Sequence, residues 1–436
     1  MLARLLANGW QDLGMSPATA RISRVTVTPV AFADPPLLNS VGVHEPSALR
    51  AIVRVATDEG LVGWGETSAD DVHLERLGAV AAELPGHDAF ETERLRQVVA
   101  GVLGSGTDGG DGVAGMITGA SAVDRVFSPF EVACLDVQGR AIGRPVVDLL
   151  GGRVRDAVPY SAYLFYKWAA HPGADADEWG EALTPDQLVA QARRMIDGWG
   201  FPAIKLKGGV LPPDDEIEAT RALAAAFPGV PLRLDPNAAW TPETGIRVAK
   251  ALDGLVEYLE DPSPGIDGMA RVAAEAPMPL ATNMAVVAFD QLPPSVAAGA
   301  VQVVLSDHHI WGGLRRSQLL AGTCDTFGIG LSMHSNSHLG ISLAAMTHLA
   351  AATPNLTYAC DTHWPWKTED VVRPGVLDFV DGGVAVPTGP GLGVEVDEDA
   401  VAALHEQYLR CGLRRRDDTG YMRRFQPDFE RKLAFW

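Results

Sequence analysis

KLKGG at residues 205–209 is followed by LDPN (234–237), LEDP (259–262) and ATNM (281–284). Each motif ends an apolar run on a charged or amide side chain. Lys205 and Lys207 stand two apart, so a strand projects both from one face while Ile204 and Leu206 take the other. Asp235, Glu260 and Asn283 then arrive one per unit. Their separation, about two dozen residues, fits a helix and its loops between parallel strands.

Outward from this stretch the alternation continues. Strand candidates fall at 158–166, 203–209, 232–237, 256–262, 279–284, 301–307, 328–334 and 358–364, with helices in the gaps. Thr184-Pro185 is an N-cap followed by proline at the first helical position, with Leu188, Ala192 and Met195 on one face. Thr241-Pro242 repeats the device, and Gly198 and Pro228-Gly229 supply stops. Such a series predicts an α/β fold, a (β/α)₈ TIM barrel.

Upstream, residues 22–65 read as antiparallel strands with Asp58-Glu59-Gly60 as a turn. Residues 72–150 read as helices broken by GSGTDGGDG (104–112). That run has no lysine in P-loop register and reads as a surface or lid loop. The expected organisation is an extension at 1–21, an α+β capping domain at 22–150, the barrel at 151–388 and a segment at 389–436 that returns to the cap.

Among 436 residues the formal net charge is −20 and 47% are hydrophobic. A large core is available, and no Lys/Arg run could neutralise nucleic-acid phosphates. The four cysteines form no CxxC pair, which fits a reducing cytoplasm. Gly9, Trp10, Gln11 and Asp12 interrupt the first apolar stretch, so no signal peptide is expected, and no run is long enough for a membrane span. A small-molecule substrate and a homo-oligomer are expected, with neither nucleic acid nor membrane as partner.

Active residues of a barrel sit at the C-terminal ends of its strands. Those ends carry Tyr163, Lys205 and Lys207, Asp235 and Asn237, Glu260, Asn283, Asp307, His334, and Asp361 and His363. Asp235, Glu260 and Asn283 form an all-oxygen set on consecutive strands that suits a hard cation such as Mg²⁺. Helix capping is the ordinary alternative for any one of them. Two close ammonium groups should depress each other's pKa, so that one lysine serves as a base. Asp307 and His334 end neighbouring strands and read as an oriented imidazole. Asn39 and His44, in a loop of the N-terminal domain, could close over the mouth.

KLKGG, LDPNAAW, EDP, ATNM, HSNSH and CDTHW, in that order, resemble the enolase superfamily and its D-glucarate dehydratase subgroup, over roughly residues 25–420. The resemblance implies a capping α+β domain over a modified (β/α)₈ barrel that holds Mg²⁺. It implies Asp235, Glu260 and Asn283 as metal ligands. Lys207 becomes the base on one face of the substrate with Lys205 beside it, and His334, paired with Asp307, the base and acid on the other. Asn237, Asn336 and His363 match polar positions around the substrate. Asn39, His44 and Tyr163 match residues that hold it from the cap side and first strand. Arg416, in RRRDD, matches an arginine that reaches a distal carboxylate. One departure stands out: the subgroup's sixth strand ends Asp-Pro-His, and here it reads Asp307-His308-His309. The loops at 104–118 and 167–182 also align poorly. The implied activity is Mg²⁺-dependent dehydration of an acid sugar, D-glucarate foremost. Other aldarates or aldonates (galactarate, idarate, gluconate) and a non-catalytic acid-sugar-binding paralogue remain as alternatives. A glycosidase is disfavoured, because its two carboxylates would have to act without lysine and amide partners.

Overall fold

The computed structural model describes residues 20–104, 121–430, 434 and 436. Most of the expected extension and of the glycine-rich loop lies outside the described residues.

Strands β1 (Ile22–Ala33), β4 (Ser47–Thr57) and β5 (Val62–Ser68) form an antiparallel sheet in the order β1-β4-β5. The short hairpin β2 (Leu38–Asn39) and β3 (Gly42–Val43) lies between β1 and β4. The β4–β5 turn is the expected one: Gly60 adopts φ +83° and donates to Thr57 O. Helices Asp71–Glu83, Thr92–Leu103 and Ala122–Ile142 follow. The third lies directly on β5, where a Cβ on Gly63 or Gly65 would come within 2.1 Å of the Ala133 or Pro129 carbonyl oxygen. Glycine is what permits that approach.

After β6 (Ala157–Pro159), seven strands make one parallel sheet: β7 (Ser161–Phe165), β8 (Ala203–Lys207), β9 (Leu232–Asp235), β10 (Tyr258–Glu260), β11 (Leu280–Thr282), β12 (Val303–Ser306) and β13 (Gly330–Met333). Each strand neighbours the next in sequence, as helical crossovers require. The expected eighth strand at 358–364 is corrected. Its first part makes one parallel bridge instead, Cys360 with Tyr160, with Cys360 N donating to Pro159 O and Asp361 N to Met333 O. Residues 364–366 already turn into a 3₁₀ helix. The ring is therefore closed by a bridging segment between β13 and β7.

The flanking helices follow their caps. Thr184 and Gln187 form a reciprocal capping box at the start of Pro185–Trp199, whose buried face holds Leu188, Ala192 and Met195. That helix runs through Gly198 and stops at Gly200, in the left-handed conformation, two residues later than expected. Ile204 and Leu206 join a core with Leu188, Ala192, Ile217 and Leu223, which leaves the alternate residues of β8 to the barrel interior. The helix Glu398–Cys411 packs against β1, with His405 Nδ1 bonded to Pro29 O. Among the described residues no helix is long and apolar enough to cross a membrane.

Candidate active site

Lys205 and Lys207 point the same way from β8, and the neighbouring strands supply their partners. In register, Lys207 lies beside Asp235 and Lys205 beside Tyr163. Lys207 Nζ is 2.6 Å from Asp235 Oδ2 and 2.7 Å from Asn237 Oδ1. Lys205 Nζ is fully buried, 2.7 Å from both Glu260 and Asp361 and 3.5 Å from Asp235, and it lies 4.7 Å from the centre of the Tyr163 ring. The expectation that the two ammonium groups depress each other fails for Lys205. Burial acts to lower its pKa, but Asp361, Glu260, Tyr163 and Asp235 together raise it well above the ordinary lysine value. Lys205 is a fixed cation. Counting Lys205 and Lys207 against Asp235, Glu260 and Asp361, the cluster carries 2 − 3 = −1 formal charge.

The candidate metal ligands end three successive strands. Burial and the adjacent Asp235 push the Glu260 carboxyl well above the usual carboxylate range. Neither of its oxygens accepts a hydrogen bond, since Lys205 approaches Oε2 off the hydrogen-bond direction. Both polar atoms of the buried Asn283 amide also lack a partner. Orphaned buried oxygens are costly unless something completes them. Asp235 differs, since its two oxygens already accept from Lys207 Nζ and Asn237 N, but with the Glu260 and Asn283 oxygens it makes an all-oxygen set that fits a hard divalent cation. A second group, Asp307, His308 and His309, brings donor atoms within 4.8 Å of one another. It fits a cation poorly, because Asp307 already bonds two imidazoles and the Arg50 guanidinium lies 3.0 Å from His309 Nε2.

Asn283 is held from behind by a residue that sequence reasoning passed over. Asp261 accepts from the backbone N–H groups of Asn283, Met284 and Ala285 and from the Thr282 hydroxyl. It does so with φ +38°, and burial pushes its carboxyl up to about 6. Its only signal in the sequence is its place in LEDP.

Across the mouth, His334 follows β13 and sets Nδ1 3.1 Å from Asp307 Oδ2. This is the expected pair, but Asp307 is shared: Oδ1 takes the backbone N–H and Nδ1 of His309, the latter at 2.7 Å. Burial opposes ionisation of Asp307, and the two histidines overcome it, holding the carboxyl well below its usual range. His309 was legible only as the departure Asp-His-His.

His363 lies edge-on to Tyr163, with ring centres 5.0 Å apart, and burial with neighbouring histidines holds its pKa well below the ordinary value. Asn336 accepts from Arg50. Asn237, at φ +55°, donates to Ser40 of the capping domain. His44 Nδ1 is 3.0 Å from Asp34 and its ring lies edge-on to Phe165. Asn39 donates to Asp418. Arg416 departs from expectation: its Nε and one Nη already form a fork on Asp418, although the side chain remains 40% exposed. A substrate carboxylate would have to share or displace that contact.

Comparison with known proteins gives this geometry a lineage. The mandelate racemase / muconate lactonizing enzyme N-terminal domain matches residues 22–151, and the enolase C-terminal domain-like family matches residues 187–400. A probable glucarate dehydratase from Streptomyces coelicolor is 51% identical over 418 residues, covering 94% of this chain and 97% of that one. A crystal structure of an enolase from Mycobacterium smegmatis complexed with tartrate is 70% identical, with TM-score 0.93, covering 97% of this chain and all of that one. Another, from Thermobispora bispora complexed with magnesium and formate, is 64% identical with TM-score 0.94, covering 96% of this chain and all of that one. The chain belongs to the mandelate racemase / muconate lactonizing enzyme family of the enolase superfamily, and within it is glucarate dehydratase-like.

Proposed function

We propose that the protein is a Mg²⁺-dependent acid-sugar dehydratase acting on D-glucarate. The observation that carries this reading is the pairing of two unlike acid/base groups, Lys207 and the Asp307–His334 pair, across one mouth from unsatisfied oxygens of Glu260 and Asn283. Asp235, Glu260 and Asn283 would hold the cation. Bound there, it would supply Lewis-acid charge to the substrate carboxylate. The 64% identical relative with magnesium supports that choice of ion.

The chain's own groups then divide the work. The α-proton leaves to Lys207 or to His334 Nε2, according to the configuration at that carbon, and its electron pair moves into the carboxylate as an enediolate. Lys205, fixed as a cation, adds positive charge where negative charge develops. Collapse of the enediolate expels the β-hydroxyl, which departs as water with a proton from His334, and the resulting enol becomes the keto-deoxy acid. Asp307 keeps the His334 Nδ1–H pointed inward, so that Nε2 faces the substrate. Asn237, Asn336, His363, Tyr163, Asn39, His44 and Arg416 would hold the sugar acid.

A diacid is favoured over a monoacid. Adding a divalent cation to a cluster of formal charge −1 leaves it at +1, or at zero when Lys207 is neutral to act as base, and Arg416 lies within electrostatic range of His363. A relative binding tartrate, itself a diacid, points the same way. The test is a panel of aldarates and aldonates incubated with the protein and Mg²⁺, reading keto-deoxy product. Product from D-glucarate is expected, with weaker or no turnover of gluconate. Turnover of aldonates alone would replace the substrate, and no product from any acid would leave a binding protein.

A further inference from the structure

Arg50 stands on β4 of the capping domain and is 3% exposed. Its Nε is 2.8 Å from Glu66 Oε1 on β5. Glu66 in turn accepts from Leu339 N and Ser342 N at the start of the helix Gly340–Ala351. This locks the guanidinium against the barrel, where one Nη lies 3.0 Å from His309 Nε2 and the other 3.4 Å from Asn336 Oδ1. A guanidinium only donates. His309 Nε2 must therefore accept, which leaves Nδ1 as the ring's single N–H, given to Asp307 Oδ1. The Ser342 hydroxyl, 2.8 Å from the same Nε2, fits as a second donor.

We propose that Arg50 and His309 are positioning residues for the His334 base: Arg50 keeps His309 a neutral donor, so that Asp307 keeps its full negative charge for His334. This rests on the reading of His334 as a catalytic base. The series runs Glu66, Arg50, His309, Asp307, His334, and it joins the capping-domain sheet to the reacting group. Without Arg50, His309 can take a proton on Nε2. An imidazolium on one side of Asp307 competes with the imidazolium that forms on the other. Around His309 stand Asp307, His308 with its ring 4.0 Å away, Arg50 and Ser342, with His338, His73 and Glu66 in electrostatic range. Around His334 stand Asp307 and His363.

The test uses the full-length Mg²⁺-loaded enzyme and follows α-proton exchange in D₂O with the epimer served by His334, from pH 5 to 9. The double variant Arg50→Gln/Glu66→Gln removes the buried charges as a pair, so that neither is left unpaired. It should slow His334-dependent exchange at least about tenfold and move the acid limb of its profile down by about a unit. His309→Leu, which leaves Asp307 to His334 alone, should move that limb up. Exchange of the epimer served by Lys207 should stay within about twofold in both, a split that general loosening of the fold would not produce. His334→Asn is the control. If it retains exchange, the base assignment itself fails. If it abolishes exchange while neither Arg50→Gln/Glu66→Gln nor His309→Leu shifts the limb, or both shift it the same way, the positioning role is overturned.

Discussion

Replacing Lys205 with methionine keeps the length of the side chain and removes a charge that touches Asp235, Glu260 and Asp361 together. The cluster goes from a formal −1 to −2 with every carboxylate still buried. Breaking a buried ion pair by removing one partner costs about 3–5 kcal/mol, and the same charge also lies over the Tyr163 ring. The cost depends on pH. Because the folded-state pKa of Lys205 is raised, its contribution to stability is complete below the ordinary lysine value and is lost only as pH rises through the higher folded one. In the variant, Glu260, already pushed up by burial and Asp235, loses a lowering influence and takes a proton instead. A carboxyl raised in the fold binds protons that the unfolded chain has released, so stability falls as pH rises through that range. Urea unfolding in EDTA should therefore show a smaller loss at pH 5.5 than at pH 8.5, with the full loss of about 3–5 kcal/mol at the higher pH. Adding Mg²⁺ should recover most of it, since a divalent ion replaces the missing charge. An equal loss at both pH values with no recovery in Mg²⁺ would refute the view of Lys205 as the counter-charge of a metal site.

Other changes probe separate parts. Glu260→Gln should abolish turnover while leaving stability in EDTA equal or higher, because it removes a carboxylate crowded by Asp235 and Asp361; a variant keeping most of its rate in limiting Mg²⁺ would remove Glu260 from the ligand set. Asp261→Ala strips the acceptor from the Asn283–Ala285 backbone and should cost about 2 kcal/mol and weaken Mg²⁺ binding by isothermal titration; unchanged binding would make Asp261 purely structural. Arg416→Ala should raise KM for glucarate at least about tenfold more than for gluconate, as loss of a charge-assisted carboxylate contact implies. Equal effects on both would confine Arg416 to its fork on Asp418.

Residues whose meaning is set by the periodicity of the chain were legible before any coordinates. Lys205 and Lys207 share a face because strand side chains alternate, and Asp235, Glu260 and Asn283 fall at the ends of successive parallel strands that stand side by side. The lost eighth strand has a local cause. Segment 358–361 makes one isolated bridge, Cys360 with Tyr160, and 364–366 turns into a 3₁₀ helix, so the polar run CDTHW never settles into a ladder. Contacts made across long separations were not legible. Arg50 and His309 are 259 residues apart, and Lys205 stays charged because carboxylates from three other elements surround it. No spacing rule encodes such meetings.

The central claim is that Lys207 and the His334–Asp307 pair work on opposite faces of one α-carbon. Lys207 ends β8 and His334 follows β13; β9–β12 separate them on one side, and β7 with the closing segment on the other. The direct measurement is NMR of α-proton exchange in D₂O for D-glucarate and its α-epimer, with Lys207→Ala and His334→Asn. The account predicts crossed behaviour: each variant loses exchange with one epimer and keeps it with the other, and the two differ in which. Loss of exchange by both variants with the same epimer, and retention by both with the other, would contradict it.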